Sequence, residues 1–482
     1  MEMAKMQKRG RTKLFAACER IGQLQCRGSK RSDETLFRAC LWEHRLWIVP
    51  GMRYRPIHPQ LFCDHRAGLA KLLLTNSLVV VNANDVLPTN ADGSLPLHPN
   101  SDLFYLTGIE QEESVLLLYS GAHEENQREI LFLRETNELM ATWEGHKLTK
   151  EDARKISGIK RVEWLSEFRP MFHRLMCECD HVYLNSNEHK RATIEVETRD
   201  ARFIRDTQER YPLHDYQRLA RLMHRLRVVK SVVEIDMLRQ ACAITKAGFL
   251  RACHYVRPDV TEMEIEAEFA HEFIRRGGAF AYAPIIASGK NACVLHYIQN
   301  DQKCRAGELL LLDVASNYAN YNADLTRTIP ASGRFSRRQR QVYDAVLRVL
   351  RAASNAAVPG KLPREWQKEA EASMEAELLS LGLLKSSEVR KQDPERPALK
   401  KFFMHGIGHP LGLDVHDVGV TTEPIQAGWV LTVEPGIYLP AEGFGIRLEN
   451  NILIQQGSNV DLMADIPIEA EEIETLMKRR GR

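Results

Sequence analysis

Four carboxylates stand at or beside the ends of apolar segments, where isolated acids are uncommon. Asp313 follows four consecutive leucines, and Glu434 follows Val-Leu-Thr-Val directly before Pro-Gly. Asp324 begins the alternating segment Asp-Leu-Thr-Arg-Thr, so a hairpin after Asp313 could bring these two acids together. Glu449 lies in a second alternating segment, where it shares a face with Arg447. Buried acids that converge in this way require a proton or a cation between them.

Three histidines fall within a glycine-rich segment, residues 404–417, that reads Met-His-Gly-Ile-Gly-His-Pro-Leu-Gly-Leu-Asp-Val-His-Asp. Its glycines and proline argue against a helix, despite the helix-like spacing of His405 and His409, and predict a loop or an irregular strand. Glycine lets the backbone approach a ligand closely, and imidazole is both a metal ligand and a hydrogen-bonding group. With His416 included, the density of histidine indicates a site.

Each of these signals has an ordinary structural explanation when it is taken alone. A strand-ending Asp commonly forms a turn or caps a helix, a single His is commonly structural, and Arg447 beside Glu449 is equally consistent with a surface salt bridge. Bound metal ions would explain all of these signals at once, because divalent cations turn the repulsion between buried carboxylates into binding free energy. We therefore predict two metal ions bound by Asp313, Asp324, His409, Glu434 and Glu449.

The predicted ligands are four hard oxygen donors and one imidazole, without a thiolate. This donor set favours Mn²⁺, with Co²⁺, Fe²⁺ or Zn²⁺ as alternatives, since selectivity among these ions depends on ligand type and availability. Two such ions would lie roughly 3.5–4 Å apart and share a bridging hydroxide, which is an arrangement for hydrolysis.

The order and spacing of these segments resemble those of the metallo-aminopeptidases with pita-bread fold, most closely the aminopeptidase P (Xaa-Pro aminopeptidase) family. The matching segments are Leu-His-Tyr at 295–297, Asp313, Asp324 with Thr-Arg-Thr at 326–328, residues 405–417, Thr-Val-Glu-Pro-Gly at 432–436 and Gly-Ile-Arg-Leu-Glu at 445–449. Asn-Ser-Asp-Leu-Phe-Tyr-Leu-Thr-Gly at 100–108 is similar to the family's N-terminal signature. The resemblance therefore covers the chain from about residue 52.

The resemblance implies a role for each site residue. His409 and Glu434 would bind one metal, Asp313 would chelate the other, and Asp324 and Glu449 would bridge both. His296, His405 and His416 match histidines that surround the metals and contact the substrate. The implied mechanism is attack of the bridging hydroxide on the carbonyl before a proline, with proton transfer by Glu434, hydrogen bonds from His405 and His416 to the intermediate, and Arg447 orienting the carboxylates.

Two alternatives share part of this pattern. A prolidase, which cleaves Xaa-Pro dipeptides only, would have the same ligands, whereas a non-catalytic or metal-free relative would lack some of them. Ala315, Asn317 and Pro410 differ from the residues usual in the family; none is a predicted ligand, and they bear on the fine shape of the pocket. Trp143 resembles a tryptophan that neighbouring subunits contribute in related tetramers, so the resemblance implies a homo-oligomer, a dimer or a tetramer.

The elements that must position these residues form an α+β pattern. Apolar periodicity predicts strands at residues 78–82, 103–107, 114–119, 429–433 and 445–454, and helices at 215–226, 232–255, 261–276, 337–356 and 364–381. Thr261 with Glu264 forms a capping box for the third of these helices. We predict a basic extension at 1–51, disordered or not native, a smaller α/β domain at 52–225, and a pita-bread catalytic domain at 226–482, because 482 residues exceed the size of a single core.

Composition argues against several functional classes. The 66 basic and 64 acidic residues nearly cancel, so no bulk field attracts nucleic acid or an anionic membrane. No apolar run is long enough to cross a bilayer. The ten cysteines lack the paired spacing of a zinc site and the density of a disulfide scaffold, so we expect reduced thiols. We predict a cytoplasmic protein that acts on peptides with proline at the second position.

Overall fold

The structure, a computed structural model, describes residues 53–478. The predicted basic extension at 1–51 lies outside the described residues and stays a prediction. The described chain begins with strands whose bounds are Ser77–Asn82 (β1), Pro88–Asn90 (β2), Gly93–Ser94 (β3), Val115–Tyr119 (β4), Glu129–Leu133 (β5), Arg161–Trp164 (β6), His181–Leu184 (β7) and Asp215–Arg218 (β8).

Six of these strands form one mixed sheet in the order β6-β5-β4-β1-β7-β8, and β2 pairs with β3 in a separate hairpin. β1 pairs antiparallel with β4 and parallel with β7. Every residue of β1 is buried, because apolar side chains cover both faces of the sheet. The predicted strands at 78–82 and 114–119 are thus confirmed as central strands.

The helices of this part of the chain have the bounds Gln60–Ala70 (α1), Ser101–Thr107 (α2), Glu138–Glu144 (α3), Lys150–Ser157 (α4), Phe168–Met176 (α5), Arg199–Arg210 (α6) and Ala220–Val228 (α7). The predicted strand at 103–107 is wrong, because this segment is the helix α2. The side chain of Asn100 accepts from the N–H groups of Asp102 and Leu103, and Gly108 ends the helix with a φ of 71°. The predicted helix at 215–226 is wrong for its first four residues, which form the edge strand β8, and the helix itself begins at Ala220.

The second part of the chain carries longer helices, Val232–Tyr255 (α8), Glu262–Arg275 (α9), Arg337–Ala356 (α10), Pro363–Ser380 (α11), Ser386–Val389 (α12) and Ala470–Lys478 (α13). The four helices predicted from residue 232 onward are confirmed to within one residue at each end. The capping box of Thr261 and Glu264 is present at the start of α9.

The strands between these helices are short: Ile285–Ser288 (β9), Leu309–Asp313 (β10), Asn317–Tyr318 (β11), Tyr321–Asn322 (β12), Thr326–Pro330 (β13), Val430–Val433 (β14), Gly436–Leu439 (β15), Phe444–Arg447 (β16), Asn450–Leu453 (β17) and Val460–Asp461 (β18). They pair as β13-β10-β9, β14-β17-β18, β15-β16 and β11-β12, each antiparallel. The predicted strand at 445–454 is in fact two strands in different sheets, broken at residues 448–449.

These elements confirm the α+β class. One hydrophobic cluster runs from the six-stranded sheet to Leu411 and Val430, so apolar packing crosses the predicted domain boundary at 225, and that boundary stays a prediction. Residues 404–417 form no helix and no strand longer than an isolated bridge, as their glycines predict. Among residues 53–478, no helix is both long and apolar enough to cross a membrane.

Candidate metal centre

The five predicted ligands lie where short strands end. Asp313 is the last residue of β10, Asp324 lies between β12 and β13, His409 lies in the irregular segment before β14, Glu434 follows β14, and Glu449 lies between β16 and β17. The hairpin expected after Asp313 is present, because β10 pairs with β13 and places Asp313 opposite Thr326. Antiparallel pairing thus brings acids from distant parts of the sequence to one region.

Three of these side chains form a compact group. Asp324, His409 and Glu449 each present a possible ligand atom, and these atoms lie within 4.8 Å of one another. Nε2 of His409 is 3.6 Å from Oδ2 of Asp324 and 3.6 Å from Oε1 of Glu434. Asp324 and Glu449 are nearly inaccessible, since 5% and 2% of each whole residue is exposed. The predicted ligands therefore surround a common space.

Asp313 adjoins this group and is held by two donors. Tyr282 donates its hydroxyl hydrogen to Oδ1 at 2.6 Å, and the guanidinium of Arg447 contacts Oδ2 at 2.5 Å. The negative charge of Asp313 is close enough to raise the pKa values of Asp324, Glu434 and Glu449. All four carboxylates therefore interact electrostatically, as the sequence predicted.

Burial and mutual repulsion both disfavour the ionised acids. Burial raises the pKa of Asp324 well above its usual value, with further contributions from Asp313 and Glu434. The pKa of Glu449 is raised for the same reasons, and burial raises that of Glu434 to about 7 although Arg447 opposes the shift. Divalent cations would replace the protons that such a cluster otherwise holds. The donor set of oxygens and one imidazole fits such ions.

The ring of His409 turns one of its nitrogens toward the acids. Its Nδ1 lies 2.9 Å from the carbonyl of Pro410, which can only accept, so Nδ1 carries the hydrogen and Nε2 presents a lone pair to the acids. Burial lowers its pKa to about 3 and keeps the ring neutral. Thr432 binds the backbone N–H of His409 through Oγ1 at 3.0 Å. A Cβ at Gly408 would overlap the carbonyl of Thr432, so only glycine permits this approach.

His405 and Arg447 are joined through Tyr438. Arg447 donates from Nη1 to the Tyr438 hydroxyl at 2.9 Å, and this hydroxyl donates to Nε2 of His405 at 2.8 Å. Nδ1 of His405 donates to the carbonyl of Gly406 at 2.8 Å. Burial, followed by the charge of Arg447, lowers the pKa of His405 to about 3. Both ring nitrogens of His405 thus have partners within the protein.

His416 lies against the metal-centre histidine, and His296 lies farther out. The rings of His409 and His416 pack edge to face with centroids 4.3 Å apart. Burial and then Arg191 lower the pKa of His416 to about 4, and His296 also contributes. His296 is exposed on the segment between β9 and β10. The structure therefore gathers every predicted site residue around one region.

Sequence reasoning missed the side chains that orient the ligands. Tyr282 and Tyr438 have no sequence signal, because each is a lone tyrosine far from the residue that it contacts. Thr326 follows Asp324 by two residues in the alternating segment, but alternation does not reveal its partner: Oγ1 donates to Oε2 of Glu449 at 2.8 Å. Such contacts depend on strand register, which only the folded chain defines.

A buried cluster of charges holds the segment that carries His409 and His416. Arg227, at the end of α7, contacts Asp102 at 2.8 Å and both Asp414 and Asp417 at 2.6 Å. Lys230 contacts the second oxygen of Asp417 at 3.0 Å. Two of these acids flank His416 in sequence, and Asp102 belongs to helix α2. The first part of the chain therefore fixes a loop of the metal centre.

Replacing Arg227 by methionine is expected to lower the free energy of unfolding by about 3–5 kcal/mol, because it removes the buried cation that faces three acids and leaves the buried Asp417 with Lys230 alone. Urea unfolding measures this loss. Arg225→Met is the matched control, since Arg225 pairs with Glu423 on the surface, where a salt bridge contributes about 1 kcal/mol or less. Equal effects of the two substitutions would contradict the role given to the buried cluster.

Comparisons with known proteins match both parts of the chain. The metallopeptidase family M24 matches residues 236–456, and the aminopeptidase P N-terminal domain matches residues 62–183. The chain is 34% identical to the Xaa-Pro aminopeptidase of Escherichia coli over 440 residues, which are 87% of this chain and 98% of that protein. The structure of zinc-substituted Escherichia coli aminopeptidase P in complex with product has a TM-score of 0.77 at 33% identity, covering 89% of this chain and 100% of that one. Pseudomonas aeruginosa aminopeptidase PepP has a TM-score of 0.79 at 29% identity, covering 88% and 99%.

These similarities confirm the pita-bread fold, and together with the convergent carboxylates they define a metal-dependent aminopeptidase. The chain belongs to the aminopeptidase P family. Membership of this family implies divalent metal ions, which the donor set fits.

Proposed function

We propose that this enzyme hydrolyses the bond between an N-terminal residue and a following proline, using two divalent ions bound by Asp313, Asp324, His409, Glu434 and Glu449. The observation that carries the proposal is the lone-pair nitrogen of His409, which faces oxygens of Asp324 and Glu434 at 3.6 Å each. Ions bound there would lower the pKa of a water molecule and polarise the scissile carbonyl. The similarity to Xaa-Pro aminopeptidases supports the substrate class.

Glu434 is the ligand best placed to transfer a proton. Its side chain is 21% exposed, against 7% for Asp324, so it borders the space that water and substrate enter. The departing proline nitrogen has no N–H as an amide and must receive a proton to leave as an amine. In the proposal, Glu434 takes the proton of the attacking water and returns it to that nitrogen.

The remaining site residues would position substrate and ligands. His416 and His296 are proposed to donate hydrogen bonds to the intermediate and to the next peptide carbonyl, because the ring of His416 packs against that of His409 and His296 acts electrostatically on His416. His405 is proposed to contact the substrate as a neutral ring held by Tyr438. Arg447 would orient Asp313 through the 2.5 Å contact and limit the repulsion among the acids.

We also propose the native metal ion, the oligomeric state and the cellular compartment of the enzyme. Mn²⁺ is proposed as the native ion from the oxygen-rich donor set. A homo-oligomer is proposed because Trp143, which is 79% exposed on α3, resembles the tryptophan that neighbouring subunits contribute in related tetramers. A cytoplasmic location is proposed because the seven cysteines within residues 53–478 are all free thiols.

Removal of metal tests the proposed function. The enzyme is stripped with chelator, Mn²⁺, Co²⁺, Fe²⁺ or Zn²⁺ is restored separately, and release of the first residue is measured from Xaa-Pro-Xaa and Xaa-Ala-Xaa tripeptides and from Xaa-Pro dipeptides. We expect no release without metal, the fastest release with Mn²⁺, and strong preference for the proline tripeptide. Inactivity with every metal would overturn the proposal, and cleavage of dipeptides alone would reassign the enzyme as a prolidase.

A further inference from the structure

Arg191 lies on the segment between β7 and α6, at the edge of the metal centre. Its Nη1 is 3.3 Å from Nε2 of His416, whose ring packs against that of His409. The arginine side chain is exposed to solvent. The imidazole of His416 therefore lies between the exposed guanidinium of Arg191 and the proposed metal ligand His409.

Local bonds hold this segment in place. The N–H of His189 donates to the side chain of Asn187 at 3.0 Å, and the N–H of Arg191 donates to Nδ1 of His189 at 3.2 Å. The neighbouring Lys190 donates to Oγ1 of Thr421 at 2.7 Å, which ties the segment to the second part of the chain. The backbone that carries Arg191 is thus anchored on both sides, and its guanidinium is directed toward His416.

The charge of Arg191 has no acidic partner in the part of the chain that the structure describes. Its contacts are with the two ring nitrogens of His416, whereas the nearby Arg218 and Arg225 are each paired with a glutamate. An unpaired guanidinium beside a peptide-cleaving centre is suited to an anionic group of the substrate.

We infer that Arg191 binds a carboxylate of the substrate on the carboxyl side of the cleaved bond. This inference rests on the proposed function, which places the scissile carbonyl at the metals and the next carbonyl near His416. An extended residue advances the chain by roughly 3.3–3.6 Å, so a group one or two residues beyond the bond would pass the guanidinium. That carboxylate is either the terminal carboxylate of a short peptide or an acidic side chain.

The experiment compares three peptides: Xaa-Pro-Ala as free acid, Xaa-Pro-Ala amide, and Xaa-Pro-Glu amide. In the metal-loaded enzyme we expect kcat/KM for the free acid to exceed that for Xaa-Pro-Ala amide by about tenfold. The difference should lie chiefly in KM, because the charge-assisted hydrogen bond from Arg191 to the carboxylate strengthens substrate binding. In Arg191→Gln this ratio should fall to about one, and Arg191→Lys should restore part of it. Arg225→Gln is the matched control and should keep the preference, because it removes one exposed arginine charge that is already paired with Glu423. An advantage of the glutamate amide over the alanine amide would show that a side-chain carboxylate is also accepted.

Two results would overturn the inference. If the wild-type enzyme cleaves acid and amide equally well, or if Arg191→Gln retains the preference for the acid, Arg191 does not bind the carboxylate, while the proposed function stands because Xaa-Pro bonds are still cleaved. If none of the three peptides is cleaved with any metal, the proposed function fails and this inference falls with it.

Discussion

Replacing Asp324 by asparagine is expected to remove bound metal from the enzyme and, with it, activity. Asp324 belongs to the group whose ligand atoms lie within 4.8 Å of one another, and asparagine keeps its size but not its charge. Loss of a charged ligand should weaken metal binding by more than the roughly 10–100-fold that follows loss of a ligand's hydrogen-bond partner. Metal content after gel filtration, measured by mass spectrometry, reports the effect.

The fold should survive this substitution. The backbone groups of Asp324 are bonded to the side chain of Asn451, at 3.1 Å for its N–H and 2.6 Å for its carbonyl, and these bonds do not involve the carboxylate. Asp344→Asn is the control, because Asp344 pairs with Arg340 on the surface of α10. A variant at position 324 that retains as much metal as this control would contradict the ligand assignment.

Replacing Glu434 by glutamine should leave the protein folded and lower turnover by about 10²–10⁴-fold, the usual contribution of general acid–base catalysis. Glutamine keeps an oxygen but cannot accept the proton of water and return it to the proline nitrogen. Turnover is measured at saturating metal, with metal content determined in the same sample, so that loss of metal and loss of proton transfer are separated. Circular dichroism verifies the fold.

The control for this experiment is Glu442→Gln, since Glu442 pairs with Arg338 on the surface and lies outside the centre. It should retain wild-type turnover. Near-normal turnover in metal-loaded Glu434→Gln would refute the proton-transfer role, whereas an inactive variant without metal would show that Glu434 acts chiefly as a ligand.

Local signals explain which elements could be predicted from the sequence. The helices from residue 232 onward were found because their apolar periodicity is long and their ends carry caps such as Thr261 with Glu264. Residues 103–107 were assigned to a strand because five residues are too few to show a helical period; the deciding signals were the cap at Asn100 and the left-handed Gly108. The edge strand β8 is polar on both faces and so has no alternation to read.

In the candidate site, the acids could be predicted from the sequence, whereas Arg227 and Arg191 beside it could not. Its acids stand out in sequence because apolar strands seldom end in buried charge, and the resemblance to a known family assigned their roles. Arg227 gave no signal, because its partner Asp417 is 190 residues away and a lone arginine on a basic helix is ordinarily solvated. Arg191 was missed for the same reason. A sequence pattern reveals a residue that does not fit its element, such as an acid at the end of an apolar strand. It does not reveal a residue that fits its element and contacts a distant residue only in the folded chain.

The strand that breaks at residues 448–449 has a consequence for how the protein folds. Arg447, directly before this break, and Glu449, within it, reach Asp313 and Thr326, which are 134 and 123 residues earlier in the chain. Contacts of such sequence separation form only after large loops have closed, so they are expected late along the folding pathway. We therefore expect the nascent chain to reach a nearly complete tertiary structure before it can take up metal, unlike small domains in which metal nucleates the fold.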